Sequence, residues 1–324
     1  MNASYDKNAA VVVLPPVSHG RLKDRSLITW LAQSELSYEI GPKELLARVV
    51  QELGLPYPEQ GLAALRMWGQ TGDRATNWIA AADPVYLEPR LDHLCLHALR
   101  RHGVPASQLR SLIDHLQETL ADDNRFGFTR LGSYGYVSAK KPIATASMPA
   151  YVVDQQTPDE YLPAGDDTAT HRTLLSEIEM ALHEHEVNLE RERLGELPVN
   201  SLWIWGGGTA DIQTTRVQPP LFSDDALLTG YWYSATGVAE PWLGSIDACI
   251  KESVAGFVAE TPEFGENDEL LETCLHELRA ALRSGRLSHL TLLFRDGVRA
   301  DVRRSHALRL WRRSSPLLEP IDTP

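Results

Sequence analysis

A charged segment that runs into a short apolar stretch and three glycines constrains the fold more than any other part of the chain. Residues 186–208 read EVNLERERLGELPVNSLWIWGGG, so a helical pattern rich in Glu and Arg ends in a Gly-Glu-Leu-Pro break. The run from Ser201 to Trp205 is typical of a buried strand. Glycines cost chain entropy and are kept where backbone must approach a ligand or another segment. This order predicts a site at the end of the strand.

The apolar spacing elsewhere predicts a mixed α/β fold, with helices packed on a mixed β-sheet and a helix-rich N-terminal third. A first strand is expected at Ala9 to Leu14, and helices are expected at 27–35, 42–53, 61–68, 106–120, 243–257 and 267–284. The longest helix is expected from Thr168 to Leu194. The run from Trp78 to Leu87 predicts a strand broken at Asp83-Pro84, because proline removes a ladder donor.

Turn and loop patterns complete this outline. The sequence FGFTRLGSYGYV at 126–137 predicts a hairpin, and Asp296-Gly297 predicts another between 287–294 and 298–302. Residues 140–167 are expected to form a long loop. The length allows one large domain or two ordinary ones. We expect a single unit over 1–324, with division into a helix-rich part (1–140) and an α/β part (141–324) as the alternative.

Composition limits the class of protein. A net charge of −13 argues against nucleic acid as a partner, because phosphate binding needs a basic face. The three cysteines form no CxxC pair, which fits a reducing compartment without disulfides. No apolar run approaches the ~20 residues of a membrane span. The sequence therefore predicts a cytoplasmic protein that binds neither membrane nor nucleic acid.

The individual motifs are ambiguous when each is taken alone. The triplet Gly206-Gly207-Gly208 is neither GxGxxG nor GxxxxGK[ST], so it serves either a close-packed turn or an anion cradle that Arg216 would assist. His183 and His185 lie two apart on a helix and cannot share one metal ion, so they are expected on the helix surface or at a cap, as is His171. Arg191 fits either a solvated helix face or a grip on a carboxylate or phosphate.

The chain ends in an arginine-rich stretch. It forms either a solvated hairpin face or a docking surface for an acidic partner or a phosphorylated ligand. Its seven arginines are Arg295, Arg299, Arg303, Arg304, Arg309, Arg312 and Arg313. No GxSxG elbow and no cysteine in a catalytic context indicates a nucleophile.

Several of these pieces form one linked pattern. His183-Glu184-His185-Glu186-Val187-Asn188, Arg191-Glu192-Arg193, Pro198-Val199-Asn200 and Leu202 to Gly208 follow one another in order. This pattern resembles the bacterial regulatory proteins of the Rpf E type, which are similar to the archaeal-type cofactor-independent phosphoglycerate mutases of the alkaline phosphatase superfamily. The blocks Ala82-Asp83-Pro84-Val85-Tyr86-Leu87, Leu162-Pro163-Ala164-Gly165 and Phe222-Ser223-Asp224-Asp225 agree in order with that resemblance.

The departures from the resemblance concern the metal centre. The mutases hold two divalent metal ions with Asp, His and a Ser nucleophile, and their first strand runs into an Asp-Gly motif. Here the first strand runs into Leu14-Pro15-Pro16, and the late histidines His276, His289 and His306 lack an Asp-His-Gly-like context. The resemblance thus implies a phosphoglycerate mutase-like, partly alkaline phosphatase-like architecture without a recognisable two-metal site, and without a recognisable cofactor.

The resemblance leads to a functional hypothesis. We expect a regulatory or ligand-binding protein that takes a small phosphorylated or carboxylate ligand and has no catalytic or metal-binding residue. The alternative is an active mutase or related phosphoryl-transfer enzyme that uses Mn²⁺ or Mg²⁺. The candidate ligand-binding residues are Asn188, Arg191, Asn200, Trp203, Trp205, Gly206, Gly207, Gly208 and Arg216.

Overall fold

The computed structural model describes residues 8–39, 41, 43–99, 103–122, 125–164, 168–212, 218–235, 237–253, 256–262 and 268–320. They fall into two compact units. The terminal unit consists of Met1–Gly41, Leu45–Tyr57 and Gln213–Pro324, and the central unit of Pro42–Glu44 and Pro58–Ile212. The first 140 residues therefore contribute to both units.

The helices and strands follow the chain in this order. The strands are β1 (Ala9–Leu14), β2 (Glu35–Tyr38), β3 (Ile79–Pro89), β4 (Leu94–Ala98), β5 (Phe126–Leu131), β6 (Tyr134–Ala139), β7 (Ser201–Gly208), β8 (Leu221–Phe222), β9 (Ala239–Glu240), β10 (Phe257–Glu260), β11 (His289–Phe294) and β12 (Val298–Arg303). The helices are α1 (Arg25–Gln33), α2 (Leu45–Leu53), α3 (Leu62–Thr71), α4 (Ala106–Leu120), α5 (Ala150–Val153), α6 (Thr168–Leu182), α7 (Glu186–Arg193), α8 (Ala226–Ser234), α9 (Ile246–Glu252) and α10 (Asp268–Ser284).

The terminal unit contains a seven-stranded sheet in the order β2-β12-β11-β1-β10-β8-β9. β1 pairs in parallel with β10 and β11, and β10 pairs in parallel with β8. The near-continuous apolar run of β1 fits this central position, because a parallel strand is buried on both faces. α1, α9 and α10 pack on the sheet through one shared apolar core. The carboxyl ends of five parallel strands, β1, β8, β9, β10 and β11, consequently meet at one edge.

The central unit contains a five-stranded sheet. Four strands follow the order β4-β3-β6-β5, and β7 pairs with β3 on its other side. Ala80 and Ala82 of β3 and Leu202 and Ile204 of β7 share a core with α4 and α6.

The mixed α/β class, the hairpins and the strand at Ala9–Leu14 are confirmed. Among the described residues, no helix is long and apolar enough to cross a membrane.

The prediction that Asp83-Pro84 breaks a strand is wrong. β3 continues to Pro89. Its pairing with β6 ends at Ala81 and its pairing with β4 begins at Val85, so the N–H that Pro84 lacks would fall in the gap between these two strands. The Pro84 carbonyl still accepts the Leu99 N–H at 3.2 Å. The proline therefore removes a donor where no strand needs one.

The prediction of one helix over Thr168–Leu194 is also wrong. α6 ends at Leu182, and His185 begins α7 as its N-cap, with its Nδ1 accepting the Val187 N–H at 3.2 Å. Leu189 of α7 is exposed, because α7 does not continue the apolar face of α6. The predicted loop at 140–167 contains α5 and a 3₁₀ helix at Pro158–Tyr161.

His171 corrects a further expectation, because it is buried rather than on the surface. It lies three residues before Leu174 and seven before Ile178, so it shares the core-facing stripe of α6. Burial lowers the pKa of its imidazole. A capping role therefore belongs to His185 and not to His171.

Candidate functional site

The candidate polar residues of the segment 186–208, called the signature segment below, bond to the protein itself. The Asn188 amide donates to the Leu182 and Val199 carbonyls at 2.8 Å each, and its Oδ1 accepts the Val199 N–H at 2.8 Å. Asn200 exchanges two hydrogen bonds with the backbone of Leu87, at 2.8 and 2.9 Å. Asn188 thus joins the end of α6 to the start of β7, and Asn200 extends the β7–β3 pairing by one step.

Arg191 is likewise bonded within the protein. Its Nε donates to the Leu197 carbonyl at 2.7 Å, and its Nη1 donates to Gln108 Oε1 at 2.7 Å and lies 3.2 Å from a Glu196 carboxylate oxygen. The side chain is only 3% exposed. Its guanidinium therefore fixes the turn after α7, and the solvated helix face considered from the sequence does not apply to it.

The two tryptophans of β7 lie on one face of the sheet, and Leu202 and Ile204 lie on the other. The indole nitrogens of both tryptophans have polar partners. Trp203 Nε1 donates to the Met148 carbonyl at 2.7 Å, and Trp205 Nε1 donates to Asp83 Oδ2 at 2.6 Å. Both rings are buried. Their indole nitrogens are consequently satisfied inside the central unit.

The three glycines lie inside β7 rather than in a turn after it. A Cβ on Gly207 would collide with the Trp78 ring, and a Cβ on Gly208 would lie 2.5 Å from the Gly61 nitrogen. The Gly61 N–H in turn donates to the Gly207 carbonyl at 3.1 Å. The absence of side chains lets the start of α3 approach β7, so the close contact is between two segments of the protein. Arg216, the expected assistant of an anion cradle, lies outside the described residues.

Two of the candidate residues border open space. A cleft of about 220 Å³ lies on the α7 side of β3. It is lined by Tyr86, Pro89, Leu182, His183, Asn188, Glu192, Pro198 and Asn200. Asn188 and Asn200 therefore border a small cleft, whereas the contacts given above engage the other described candidates within the protein.

A second group of polar residues lies at the carboxyl edge of the terminal sheet, defined here as Ser223, Asp225, Glu260, Arg295 and Asp296. In parallel α/β sheets this edge is the usual place for ligands. Glu260 ends β10, and Arg295 and Asp296 follow β11. Ser223 follows β8, and Asp225 caps α8 by accepting the Leu227 and Leu228 N–H groups at 2.9 Å each.

An ion pair dominates this edge. The Arg295 guanidinium contacts Glu260 and donates to the Thr261 carbonyl at 2.9 Å, and Ser223 Oγ donates to Glu260 Oε2 at 3.0 Å. Burial raises the pKa of Glu260 to about 7, against the opposing effect of Arg295. A carboxyl that titrates near neutrality beside a guanidinium is typical of a functional site.

Two polar atoms at this edge have no hydrogen-bond partner among the described residues. They are Arg295 Nε and Asp296 Oδ1, and both are buried. Asp296 Oδ2, by contrast, accepts the Val17 and Ser18 N–H groups at 2.8 and 2.7 Å. Unpartnered buried polar atoms are rare and costly, so this edge differs from the saturated signature segment.

The edge residues do not fit the two-metal centre of the mutases that the sequence resembles. Two-metal sites need several carboxylates and imidazoles free to converge on the ions. Here Glu260 is neutralised by Arg295, Asp296 is bound by two N–H groups, and Asp225 caps a helix. Within the described ranges, the metal-competent group of three side chains is Glu88, Cys95 and His97 of the central unit.

The sequence analysis places Arg295 only in the arginine-rich C-terminal stretch and has none of the five edge residues among the candidate ligand-binding residues, although a signal was present. Each edge residue directly ends or follows a parallel strand, and the prediction of β1 and β11 could have drawn attention to residues 295 and 296. Cys95 and His97 belong to β4, which the sequence analysis did not predict. Their spacing of two places both side chains on one face of a strand, and recognising the hairpin partner Glu88 required β4.

Comparison with known proteins gives a partial relationship. The chain is 30% identical over 113 residues to 2,3-bisphosphoglycerate-independent phosphoglycerate mutase 2 of Methanothermobacter thermautotrophicus, and this match covers 32% of this chain and 27% of the relative. A corresponding mutase of Methanosarcina mazei is 28% identical over 109 residues, covering 33% and 28%. The matches thus span less than a third of these relatives' length. No protein-family model matches the chain.

A solved structure supports the fold. The PH0037 protein from Pyrococcus horikoshii matches with a TM-score of 0.52 and 12% sequence identity, over 89% of this chain and 82% of that one. At this identity the likeness concerns the fold alone. The chain is therefore similar in sequence to archaeal cofactor-independent phosphoglycerate mutases over about a third of its length, and its mixed α/β fold is confirmed.

Proposed function

We propose that this protein acts by binding a small phosphorylated or carboxylate ligand, as a regulatory protein related to the phosphoglycerate mutases, and that it does not carry out two-metal phosphoryl transfer. One observation carries the proposal: an arginine, Arg295, occupies the carboxyl edge of the terminal sheet and pairs with Glu260. The Arg295 side chain supplies positive charge at this edge of the sheet. A guanidinium suits recognition of carboxylates and phosphates.

The state of Arg295 supports a ligand at this edge. Its Nη2 serves Glu260 and Thr261, while its buried Nε has no partner in the described part of the chain. Because the Glu260 carboxyl titrates at about 7, its hold on the guanidinium weakens when it is protonated. An anion that enters this edge could then accept a hydrogen bond from the Nε–H of Arg295, which has no partner in the described chain.

The signature segment has a supporting role in this proposal. Asn188, Arg191 and Asn200 fix the geometry around β7, and the cleft beside them is a second place for a small ligand. The Rpf E-type assignment and the cytoplasmic location belong to the same proposal. The three cysteines of the chain are unpaired, which agrees with a reducing compartment.

The proposed acidic protein partner would meet the C-terminal arginines. Most of these are engaged by the terminal unit: Arg299 pairs with Glu52 at 2.6 Å, and Arg309 pairs with Glu35 at 2.9 Å. Arg303 is 58% exposed beside Asp301. Reversing the charge of Arg303 should therefore weaken partner capture, whereas a partner that binds equally well after the reversal would argue against this surface.

Mutase activity provides the first test. The protein, supplied with Mn²⁺ or Mg²⁺ and 3-phosphoglycerate, is expected to form no 2-phosphoglycerate above the enzyme-free background. Manganese-dependent turnover, together with two bound ions per chain, would overturn the proposal and establish the active-mutase alternative.

Ligand binding provides the second test, by calorimetry and thermal shift with 3-phosphoglycerate. The double variant Arg295→Gln/Glu260→Gln removes both charges of the edge pair and is expected to lose at least about tenfold in affinity, since charge-assisted hydrogen bonds are the strong ones. Arg299→Gln, on the neighbouring strand, is the matched control and should bind as the wild type does. Loss of binding in Asn200→Ala instead would move the ligand to the cleft, and no binding to the wild type at millimolar ligand would reject the proposal.

A further inference from the structure

Three side chains of different chemistry converge on one face of the β3–β4 hairpin. Glu88 of β3 lies directly opposite Cys95 of β4, and Tyr86 lies opposite His97. Residues two apart on a strand share a face, and directly opposed residues share it too. The antiparallel register therefore places Glu88, Cys95 and His97 together, without any contribution from a loop.

Their ligand atoms are close enough to share one ion. A carboxylate oxygen of Glu88, the Cys95 sulfur and an imidazole nitrogen of His97 all lie within 4.8 Å of one another. His97 Nε2 and Glu88 Oε2 are 2.8 Å apart. Metal–ligand bonds of about 2.0–2.3 Å in a tetrahedral site separate the ligands by roughly 3–4 Å, so small side-chain movements suffice.

The surroundings permit an ion. Cys95 is buried, and the Glu88 and His97 side chains are 30% and 24% exposed, so the group opens to solvent on one side. Arg90 contacts Glu88 Oε2 at 2.6 Å from a half-exposed position. Exposed ion pairs hold only weakly, so Arg90 can keep one carboxylate oxygen or give way to an ion.

We propose that Glu88, Cys95 and His97 bind one divalent cation of the zinc type. A thiolate, an imidazole and a carboxylate are the three ligand kinds that zinc takes in proteins, and three protein ligands leave a fourth position for water or a ligand. Binding replaces the Cys95 thiol proton, which is released to solvent as the sulfur–metal bond forms. The soft sulfur favours zinc over Mg²⁺ or Mn²⁺.

The position of the group gives the ion a context. Tyr86, next to His97 with ring centroids 5.9 Å apart, also lines the cleft that Asn188 and Asn200 border. The proposed metal group therefore lies next to a residue that lines a cleft of about 220 Å³. This site is independent of the carboxyl edge of the terminal sheet, and it stands whether or not the edge binds an anion.

Titration of the chelator-treated protein with Zn²⁺ and Co²⁺ tests the site. The wild type is expected to bind one ion per chain, and Co²⁺ is expected to produce the near-ultraviolet thiolate-to-metal charge-transfer band that reports sulfur ligation. Cys95→Ser and His97→Gln should each weaken binding at least about tenfold, and Cys95→Ser should abolish the band while Cys249 and Cys274 remain. Cys95→Ala serves as a second variant should the serine disturb folding.

His93→Gln is the matched control, because His93 is a neighbouring histidine that bonds to Asp92 at 2.6 Å outside the group. It should bind the ion as tightly as the wild type does. Far-ultraviolet circular dichroism and melting of each metal-free variant verify the fold. Binding below one ion per chain, a charge-transfer band that survives in Cys95→Ser, or equal weakening in His93→Gln would each overturn the proposed site.

Discussion

The Arg66–Asp83 pair of the central unit and the Arg295–Glu260 pair of the terminal unit differ in how completely they are satisfied. In the central unit Arg66 donates to Asp83, Tyr136 and the Gly135 carbonyl at 2.9–3.2 Å, and its guanidinium lies 4.7–5.3 Å from three aromatic ring centres. In the terminal unit Arg295 pairs with Glu260 but leaves its buried Nε without a partner in the described chain.

The difference separates scaffold from site. A saturated polar network rigidifies a core, whereas a partly satisfied one costs free energy and persists where it has a use. The second oxygen of Asp83 is also taken, by Trp205 at 2.6 Å. The Arg66 network thus uses all three guanidinium nitrogens and both Asp83 oxygens within the protein, whereas Arg295 leaves its Nε unused in the described chain.

The largest effect is expected where the scaffold pair is broken. Arg66→Met leaves the Asp83 carboxylate largely buried without its counter-ion, which should lower the free energy of unfolding by about 3–5 kcal/mol. The double variant Arg66→Met/Asp83→Asn removes both charges and should recover part of that loss. Urea unfolding measures both, with the exposed surface pair variant Arg193→Ala as the control. A loss in Arg66→Met no larger than in Arg193→Ala would show that the central pair is not a scaffold element.

A smaller loss is expected in Gly208→Ala, which tests the packing of the signature segment. The added Cβ would lie 2.5 Å from the backbone nitrogen of Gly61, which cannot rotate away, and Gly208 has φ +149°. Overpacking and backbone strain together should cost about 3 kcal/mol. Gly195→Ala is the control, because Gly195 also has positive φ but nothing within 4 Å, and it should cost only about 1–2 kcal/mol. Equal melting temperatures for the two variants would contradict the close-contact interpretation.

The smallest and most specific effect concerns pH and the edge pair. Folded Glu260 keeps its proton up to about pH 7, whereas the unfolded carboxyl loses it near the ordinary value of 4.5. Between these values the folded state binds more protons, so this group's stabilising contribution is full at low pH and is lost as the pH rises to about 7. Glu260→Gln should remove that loss, so its unfolding free energy should fall less between about pH 5 and about pH 7.5 than that of the wild type.

Urea unfolding at the two pH values measures this difference. Glu190→Gln, which alters an exposed ion pair on α7, should keep the wild-type slope. Parallel slopes for the wild type and Glu260→Gln would show that Glu260 is already ionised throughout this range. The edge pair would then resemble the scaffold pair more closely than its unpartnered Nε indicates.

The sequence predicted the elements whose pattern is local. β1, α4 and the two hairpins follow from apolar periodicity and from turn residues within a few positions of one another. It failed where a distant partner decides the outcome. Pro84 is tolerated inside β3 because pairing with one strand ends and pairing with another begins beside it.

The candidate site shows the same limit. Segment 186–208 was selected for its glycines, its arginine and its asparagines, and the types of residue were informative about close packing and buried hydrogen bonds. Whether Asn188 bonds to a ligand or to the Val199 backbone cannot be deduced from its type, because both bonds use the same atoms. Glu88 and Cys95 are seven positions apart and become neighbours only through the hairpin register.

The amino-acid sequence by itself determined the mixed α/β class, the positions of most helices and strands, and the similarity to the cofactor-independent phosphoglycerate mutases, because these depend on periodicity and on residue order. Only the tertiary structure decided that the polar groups of segment 186–208 bond inward, that Arg295 and Glu260 meet at the carboxyl edge of a parallel sheet, and that Glu88, Cys95 and His97 converge on one face. The physical reason is that hydrogen bonds, ion pairs and metal ligation act over a few ångströms, and strand pairing alone brings such distant residues within that range.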